Sequence, residues 1–308
     1  MKLKFLGATK NVTGSKFYLE MDGKNLLIDC GLFQEREFKN KNWEKFPVPP
    51  EKIDYILLTH AHLDHSGYLP KIVKEGFSGK ILCTAPTYEI TKIALLDSAK
   101  LQVEDAEKKR ERHEKEGRKG PYPEIPLYDV SDAENVFPLF QPVPYDKEIK
   151  ITDKLKVVFY DAGHILGSSV IKVFADGIEI VFSGDIGRPN SPILNNPEII
   201  ESANILVMET TYGDRKHEDR KIAVEKLENI INDTVKRGGN IVIPTFAIER
   251  TQEILYYLKK LLTENRIPHL LTFLDSPMAI EVTEVFKRYP DYLDGEAGKF
   301  IEKKISPF

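Results

Sequence analysis

The sequence predicts an α/β protein made of two successive domains. Three observations predict it. The chain has 308 residues, room for about two domains of ~150 residues each. It opens on short apolar segments separated by glycine-bearing turns, the pattern of hairpin-linked strands. From Asn204 onward, apolar runs alternate with helical patterns, which implies parallel strands covered by helices.

The elements follow in order. Residues 2–6, 16–19 and 25–28 read as strands, with Met21-Asp22-Gly23-Lys24 as one of the turns. Residues 53–58, Ile-Asp-Tyr-Ile-Leu-Leu, are rich in β-branched and aliphatic side chains and read as a buried strand. Ser66-Gly67-Tyr68-Leu69-Pro70 leads into a short helix, and residues 80–84 read as a strand. Ala85-Pro86-Thr87 starts a long helix, with Pro86 in the first turn and Ile90, Ile93, Ala94 and Leu101 on its apolar face. From Lys108 to Lys119 the composition is almost wholly charged. Lys and Arg alternate with Glu there, so the stretch reads as a solvated helix end and loop rather than a basic patch. Pro121, Pro123 and Pro126 break any helix. Ser131-Asp132-Ala133-Glu134 reads as a capping box opening a brief helix. Residues 156–160 and 178–182 are further strands. Residues 205–208 form a buried strand, followed by a helix over about 219–236, a Gly238-Gly239 turn and the strand 241–243. A helix over 249–262, a strand over 270–274 and a helix after Pro277 complete the pattern. The expected domains are therefore 1–211 and 212–308.

Composition narrows the function classes. The formal net charge of -4 offers no basic excess to advertise a nucleic-acid binder. Two cysteines, Cys30 and Cys83, cannot build a disulfide framework and fit a reducing compartment. The N-terminus lacks the apolar core and cleavage site of a signal peptide. No stretch approaches the ~20 apolar residues that span a membrane. The expectation is a cytoplasmic protein without a membrane partner.

The chemistry is concentrated in Thr59-His60-Ala61-His62-Leu63-Asp64-His65. A tight loop leaving the strand 53–58 would turn His60, His62, Asp64 and His65 toward one point. Neutral imidazole and carboxylate are the ligands that borderline divalent metals such as zinc prefer. Alternation with Ala61 lets His60 and His62 face one side, and Asp64 and His65 on the next bend can reach a second ion. Three weaker signals stand beside this run. His164 lies in the Gly-rich Asp161-Ala162-Gly163-His164-Ile165-Leu166-Gly167-Ser168, Asp185 follows Ser183-Gly184 at a strand end, and Asp29 ends Leu26-Leu27-Ile28. Each alone is more often a turn than a ligand.

Together these segments resemble the HxHxDH signature and companion motifs of the metallo-β-lactamase superfamily. Further resemblance lies in Met208-Glu209-Thr210-Thr211-Tyr212-Gly213-Asp214, in Ile243 through Glu253, in Leu274-Asp275-Ser276-Pro277-Met278-Ala279, and in Gly7-Ala8-Thr9 and Val12-Thr13-Gly14-Ser15. These are similar to the β-CASP branch, nucleic-acid-processing nucleases such as the cleavage and polyadenylation endonuclease. The resemblance implies an αββα sandwich carrying an α/β parallel-sheet β-CASP domain. It implies a zinc-dependent hydrolase that cleaves phosphodiester bonds of RNA through a hydroxide held between two zinc ions, with single-stranded RNA as substrate. His60, His62 and His164 would hold one zinc, Asp64 and His65 the other, and Asp185 would bridge. Asp64, Glu209 and Asp29 are the implied catalytic residues. Asp29 would orient a ligand or cap a turn, and Glu209 would orient an acid histidine or hold the attacking water. Thr245, Arg250 and Ser276, at strand-to-helix junctions with free backbone N–H groups, would touch substrate. Di-iron relatives place Glu where this chain has His62, so an all-His first site favours zinc.

One departure qualifies the match. In the β-CASP branch the chain returns after the second domain with two more histidines, whereas this sequence stops at Ile305-Ser306-Pro307-Phe308 and has no histidine after His269. The expectation is a lactamase fold incomplete in its C-terminal half and a partial β-CASP domain. The apolar surface left exposed would favour association, such as a homodimer. His113 and His217 read as surface residues and His269 as packing. Two other readings stand beside the nuclease: a thioester or lactone hydrolase of the same fold, and a non-catalytic RNA-binding fragment. The segments after Glu209 have no place in the first of these.

Overall fold

The computed structural model describes residues 1–119, 124–216, 219–295 and 297–298. Contacts divide the chain into two units: Met1–Gly187 with Pro197–Glu209, and Arg188–Asn196 with the chain from Thr210 onward.

In the first unit two sheets stack face to face. The first runs β1 (Lys2–Phe5), β2 (Phe17–Met21), β3 (Lys24–Ile28), β4 (Tyr55–Leu57), β5 (Lys80–Cys83) and β6 (Phe140–Pro142), in that spatial order. The β1–β2 and β2–β3 pairs are antiparallel, and the pairs from β3 to β6 are parallel. The second sheet holds β7 (Ile149–Lys150), β8 (Lys156–Asp161), β9 (Ser169–Ala175), β10 (Ile178–Phe182) and β11 (Ile205–Val207) in reverse order. Only its β10–β11 pair is parallel.

The continuous apolar runs follow from this layering, because a strand covered on both faces has no polar side. Leu26, Ile28, Leu57 and Leu82 point at Val157, Phe159, Ile171 and Phe182 of the second sheet. Their neighbours Leu27, Ile56 and Ile81 point the other way, onto a helical layer. That layer comprises α1 (Leu63–Ser66), α2 (Leu69–Lys74), α3 (Ala85–Glu116) and α4 (Val130–Glu134). Helix α3 is capped by Thr84, whose hydroxyl accepts from the N–H of Thr87, and ends on left-handed Gly117.

Several sequence expectations need correction. Leu101 is 53% exposed; Ser98 takes the buried position on α3 and its hydroxyl bonds to Tyr128 at 2.8 Å. His113 is buried and paired with Glu124, because the chain after α3 folds back over the helix end. The capping box of α4 is Asp129 with Asp132, two residues earlier than Ser131. Strands β6, β7 and β9 were not anticipated. Pro121, Pro123, His217 and residues 305–308 lie outside the described residues.

The second unit contains α5 (Arg220–Lys236), α6 (Arg250–Thr263) and α7 (Pro277–Arg288). Ile231, Leu261 and Ile267 form its small core with Val224, Leu227 and Leu258. The Gln252 amide donates to Thr283 at 2.9 Å and ties α6 to α7. The expected strands at 241–243 and 270–274 do not form. A parallel strand needs hydrogen-bonded neighbours and apolar cover, and here Val242 and Leu271 are 87% and 88% exposed. His269 is likewise exposed rather than packed.

Lys16 is a buried cation in the first unit. Its ammonium donates to the carbonyl oxygens of Gly31 and, at 3.4 Å, Gly14, and lies 4.4 Å from the Phe33 ring centre. Burial pulls its pKa down to about 8, partly countered by Cys30 and reinforced by Lys41. A folded pKa below the unfolded value means that stability is reduced below about pH 8 and recovered as pH rises toward 10.5. The unaltered protein should therefore gain on K16M by roughly 3 kcal/mol between neutral pH and pH ~10.5. Urea unfolding of both proteins across that range checks this, and a constant difference contradicts it.

Candidate metal centre

Three loops meet where β4, β8 and β10 end. The β4 loop enters α1 and carries His60, His62, Asp64 and His65. The β8 loop carries His164, and the β10 loop carries Asp185. The structure brings all six of these residues together.

The donors fall into two groups that share Asp185. In the first, His60 Nε2 lies 3.1 Å from His62 Nδ1, and His164 Nε2 lies 3.2 Å from that same nitrogen. Asp185 Oδ2 stands 3.9 Å from His60 Nε2 and 3.5 Å from His164 Nε2. In the second, His65 Nε2 is 3.2 Å from Asp185 Oδ1 and 3.8 Å from Asp64 Oδ2. The two carboxylate oxygens of Asp185 thus face different groups.

The donor set fits metal ions. Ligands at ~2.0–2.1 Å from a tetrahedral centre are about 3.4 Å from each other, close to the observed spacings. The nitrogen lone pairs also conflict without a cation. One proton on His62 Nδ1 cannot serve both facing nitrogens, whereas a cation would take all three lone pairs. Burial, followed by the charge of His65, holds His60 well below the ordinary imidazole range. Burial and His164 push His62 down to about 4, and burial lowers His164. These rings are neutral near pH 7, as ligation requires. His65 differs: burial lowers it, but Asp29 and Asp185 outweigh that and hold it well above its usual value. Carboxylates that favour a proton on His65 would favour a cation in its place.

The surrounding residues fix the donors. Asp29 sits at φ 58°, a left-handed conformation that Asp tolerates better than most residues. Its carboxylate accepts from His65 Nδ1 at 2.7 Å, from the Thr59 N–H at 2.8 Å and from the Thr59 hydroxyl at 2.9 Å. The first bond leaves His65 Nε2 facing Asp185. The Thr59 oxygen, its proton committed to Asp29, can accept from His60 Nδ1 at 3.0 Å, which directs the His60 Nε2 lone pair inward. Asp29 therefore both orients His65 and caps the loop after β4.

Glu209, at the end of β11, braces the Asp185 loop. Its Oε1 accepts from the Ile186 N–H at 3.0 Å, and its own N–H donates to Ser183 Oγ at 3.0 Å. The His164 loop is held by Ser168 Oγ, which accepts from the N–H of His164 at 3.0 Å. Thr84 and Thr87 of the α3 start donate to Gly167 O at 2.7 and 2.8 Å. Gly31 touches the Asp64 backbone so closely that an added Cβ would fall 1.5 Å from Asp64 O. Thr59, Ser168 and Thr84 escaped the sequence reading; their only signal was their place at strand ends beside the ligands.

The residues expected to touch substrate lie in the second unit. Thr245 is exposed, Arg250 opens α6 and pairs with Glu253 at 2.6 Å, and Ser276 caps α7 by accepting from the Ala279 N–H at 3.2 Å. The expected free N–H groups are partly committed: those of Thr251 and Glu253 donate to Phe246 O and Glu249 O.

Comparison with known proteins agrees with this geometry. Residues 18–211 match the metallo-beta-lactamase superfamily domain, and residues 251–308 match the Beta-Casp domain. The chain belongs to the metallo-β-lactamase superfamily, in its β-CASP branch. It is 33% identical to a ribonuclease of Thermus thermophilus over 308 residues, all of this chain and 66% of the relative. It is 31% identical to a transcription termination factor of Methanosarcina mazei, over all of this chain and 47% of the relative. It is 28% identical to cleavage and polyadenylation specificity factor subunit 3-I of Arabidopsis thaliana, over 98% of this chain and 42% of the relative. The chain thus spans from under half to about two thirds of the length of these relatives.

Replacing Asp29 by Asn keeps an acceptor for Thr59 but loses the charge facing His65. Metal affinity should fall about ten- to a hundredfold, measured by competition with a chromophoric chelator. Equal affinity would show that Asp29 does not tune the centre.

Proposed function

We propose that this chain carries the metal-dependent phosphodiester hydrolase centre of a ribonuclease that acts on single-stranded RNA with two zinc ions. The observation that carries the reading is Asp185, whose two oxygens face two separate donor groups. The ribonuclease named among the similar proteins supports RNA as substrate. The match of residues 251–308 to the Beta-Casp domain favours it over a thioester or lactone. Nitrogen-rich donors, three imidazoles in one group, favour zinc.

Zinc, when bound, acidifies water and neutralises charge building on phosphoryl oxygens. The chain's own residues make that chemistry directional. His60 is wholly buried, while the side chains of His164 and Asp185 are 25% exposed and that of Asp64 19%. Within the first unit a substrate phosphate would therefore approach from the side of His62, Asp64, His164 and Asp185 rather than from that of His60. Asp29 keeps a proton on His65 Nδ1 and so keeps Nε2 turned to the reacting side. Glu209 and Ser183 hold the Asp185 loop, so that its oxygens stay divided as charge shifts during reaction. Preorganised groups of this kind supply the electrostatic part of the barrier reduction.

No helix among the described residues is long and apolar enough to cross a membrane. Two buried free cysteines support a reducing, cytoplasmic setting. The exposed Val242, Phe246, Leu271 and Phe273 support self-association, of which a homodimer is the simplest form.

Asp64→Ala should lower cleavage of an end-labelled single-stranded RNA by about a hundredfold or more in the presence of zinc, read on a denaturing gel. Unchanged cutting would remove Asp64 from the centre.

A further inference from the structure

A second feature suited to RNA lies within the second unit. Glu253 is 8% exposed and is shared by two guanidinium groups. Arg250 Nη1 reaches its Oε2 at 2.6 Å, and Arg220 Nε stands 3.8 Å from its Oε1. Arg220 also donates to the carbonyl oxygens of Pro189 and Asn190, at 3.4 and 2.5 Å. That bond holds the segment carrying Arg188 beside the pair. The segment is anchored further along, where Leu194 bridges to Leu293 and Ile193 O accepts from the Asp294 N–H.

Two guanidiniums thus flank one carboxylate, and Arg188 adjoins the Pro189 carbonyl that Arg220 holds, in a chain whose formal net charge is -4. The arginines act on one another: burial, then the charges of Arg220 and Arg250, lower the Arg188 pKa against the pull of Glu253 and Tyr212. Gathering like charges is unfavourable unless an anion joins them. Arg188 and Arg250 are solvent-exposed, so an anion from outside can reach them. Guanidinium forks match phosphate oxygens in pairs. Tyr212, 55% exposed, carries the Arg215 guanidinium 5.8 Å from its ring centre, an aromatic–cation pair of the kind on which a base can stack.

We propose that Arg188, Arg220 and Arg250 form a phosphate-binding cluster that grips a backbone phosphate of single-stranded RNA, with Tyr212 stacking on a neighbouring base. The cluster deepens the ribonuclease reading and rests on it for the choice of RNA. Arg250 alone was expected from the sequence to touch substrate. Arg188 and Arg220 come from the structure, because nothing in their sequence context links them.

The test is fluorescence anisotropy of a labelled oligouridine of about ten nucleotides on the chelator-treated full chain, across a salt series. Arg188→Gln is the first variant, since Arg188 is exposed and Arg220 and Arg250, the partners of Glu253, stay in place. The affinity should drop about tenfold, and the slope of log affinity against log salt should shrink by about 0.7. Arg188→Lys should keep most of that slope, because it keeps the charge. An R188Q protein with the affinity and slope of the unaltered chain would overturn the cluster. So would displacement of the RNA by millimolar uridine monophosphate, which would assign the arginines to a small phosphate ligand. A cleavage assay with zinc separates this from the nuclease reading. Arg188-dependent binding without cleavage would sink the nuclease and leave the cluster, whereas cleavage with unchanged R188Q binding would do the reverse.

Discussion

The arrangement depends on one buried carboxylate. Asp29 accepts from His65, from the Thr59 backbone and from the Thr59 hydroxyl, so a single group sets one imidazole directly and another through Thr59. Its place at the end of β3, beside the loop leaving β4, is possible because the two strands pair in parallel and end together. A left-handed backbone at Asp29 turns the carboxylate across to the neighbouring loop. Strain of this kind persists where the surroundings over-determine it. Here the Asp29 N–H donates to Leu57 O at 3.0 Å, and the Cys30 N–H to His65 O at 2.7 Å.

The rest of the first unit serves the same purpose. Strands buried on both faces make a rigid platform, and only their ends are free to carry chemistry. The segment after β3 runs along α1 through backbone bonds from Leu32 to Leu63 O and from Cys30 to His65 O, and the loop before β2 adds one from Ser15 to Asp64 O. Those bonds hold Asp64 and His65 by their main chain. Glu209 does for the Asp185 loop what Ser168 and Thr84 do for the His164 loop. His60, His65 and the loops of His164 and Asp185 are thus each held by a polar neighbour, the kind of support that keeps a metal site in one geometry.

Much of this was legible in the sequence where a local pattern carried it. The run from His60 to His65 follows an apolar strand and points to metal ligation by itself, whereas His164 and Asp185, at strand ends, became candidate ligands through the family resemblance. Strand β9 was missed because Lys172 interrupts its apolar run. The structure buries that lysine and pairs it with Glu179 at 2.9 Å, on the neighbouring strand. His113 was placed on the surface because its neighbours are all charged, yet a distant residue, Glu124, draws it inside. Residues 241–243 and 270–274 have strand composition, but composition does not supply a hydrogen-bonded neighbour. The role of Glu209 as a brace, and the convergence of Arg188 with Arg220 and Arg250, depend on contacts between residues far apart in sequence. No periodicity encodes those.

Asp185 divides the six candidate ligands into two groups, each suited to one metal ion. Metal content settles it most directly: strip the purified protein with chelator, re-equilibrate it with zinc, and count ions per chain by inductively coupled plasma mass spectrometry. The two donor groups predict about two zinc ions per chain and about one or none in Asp185→Ala, since each group loses an oxygen. One ion or fewer in the unaltered chain, or two ions retained without Asp185, would contradict the account.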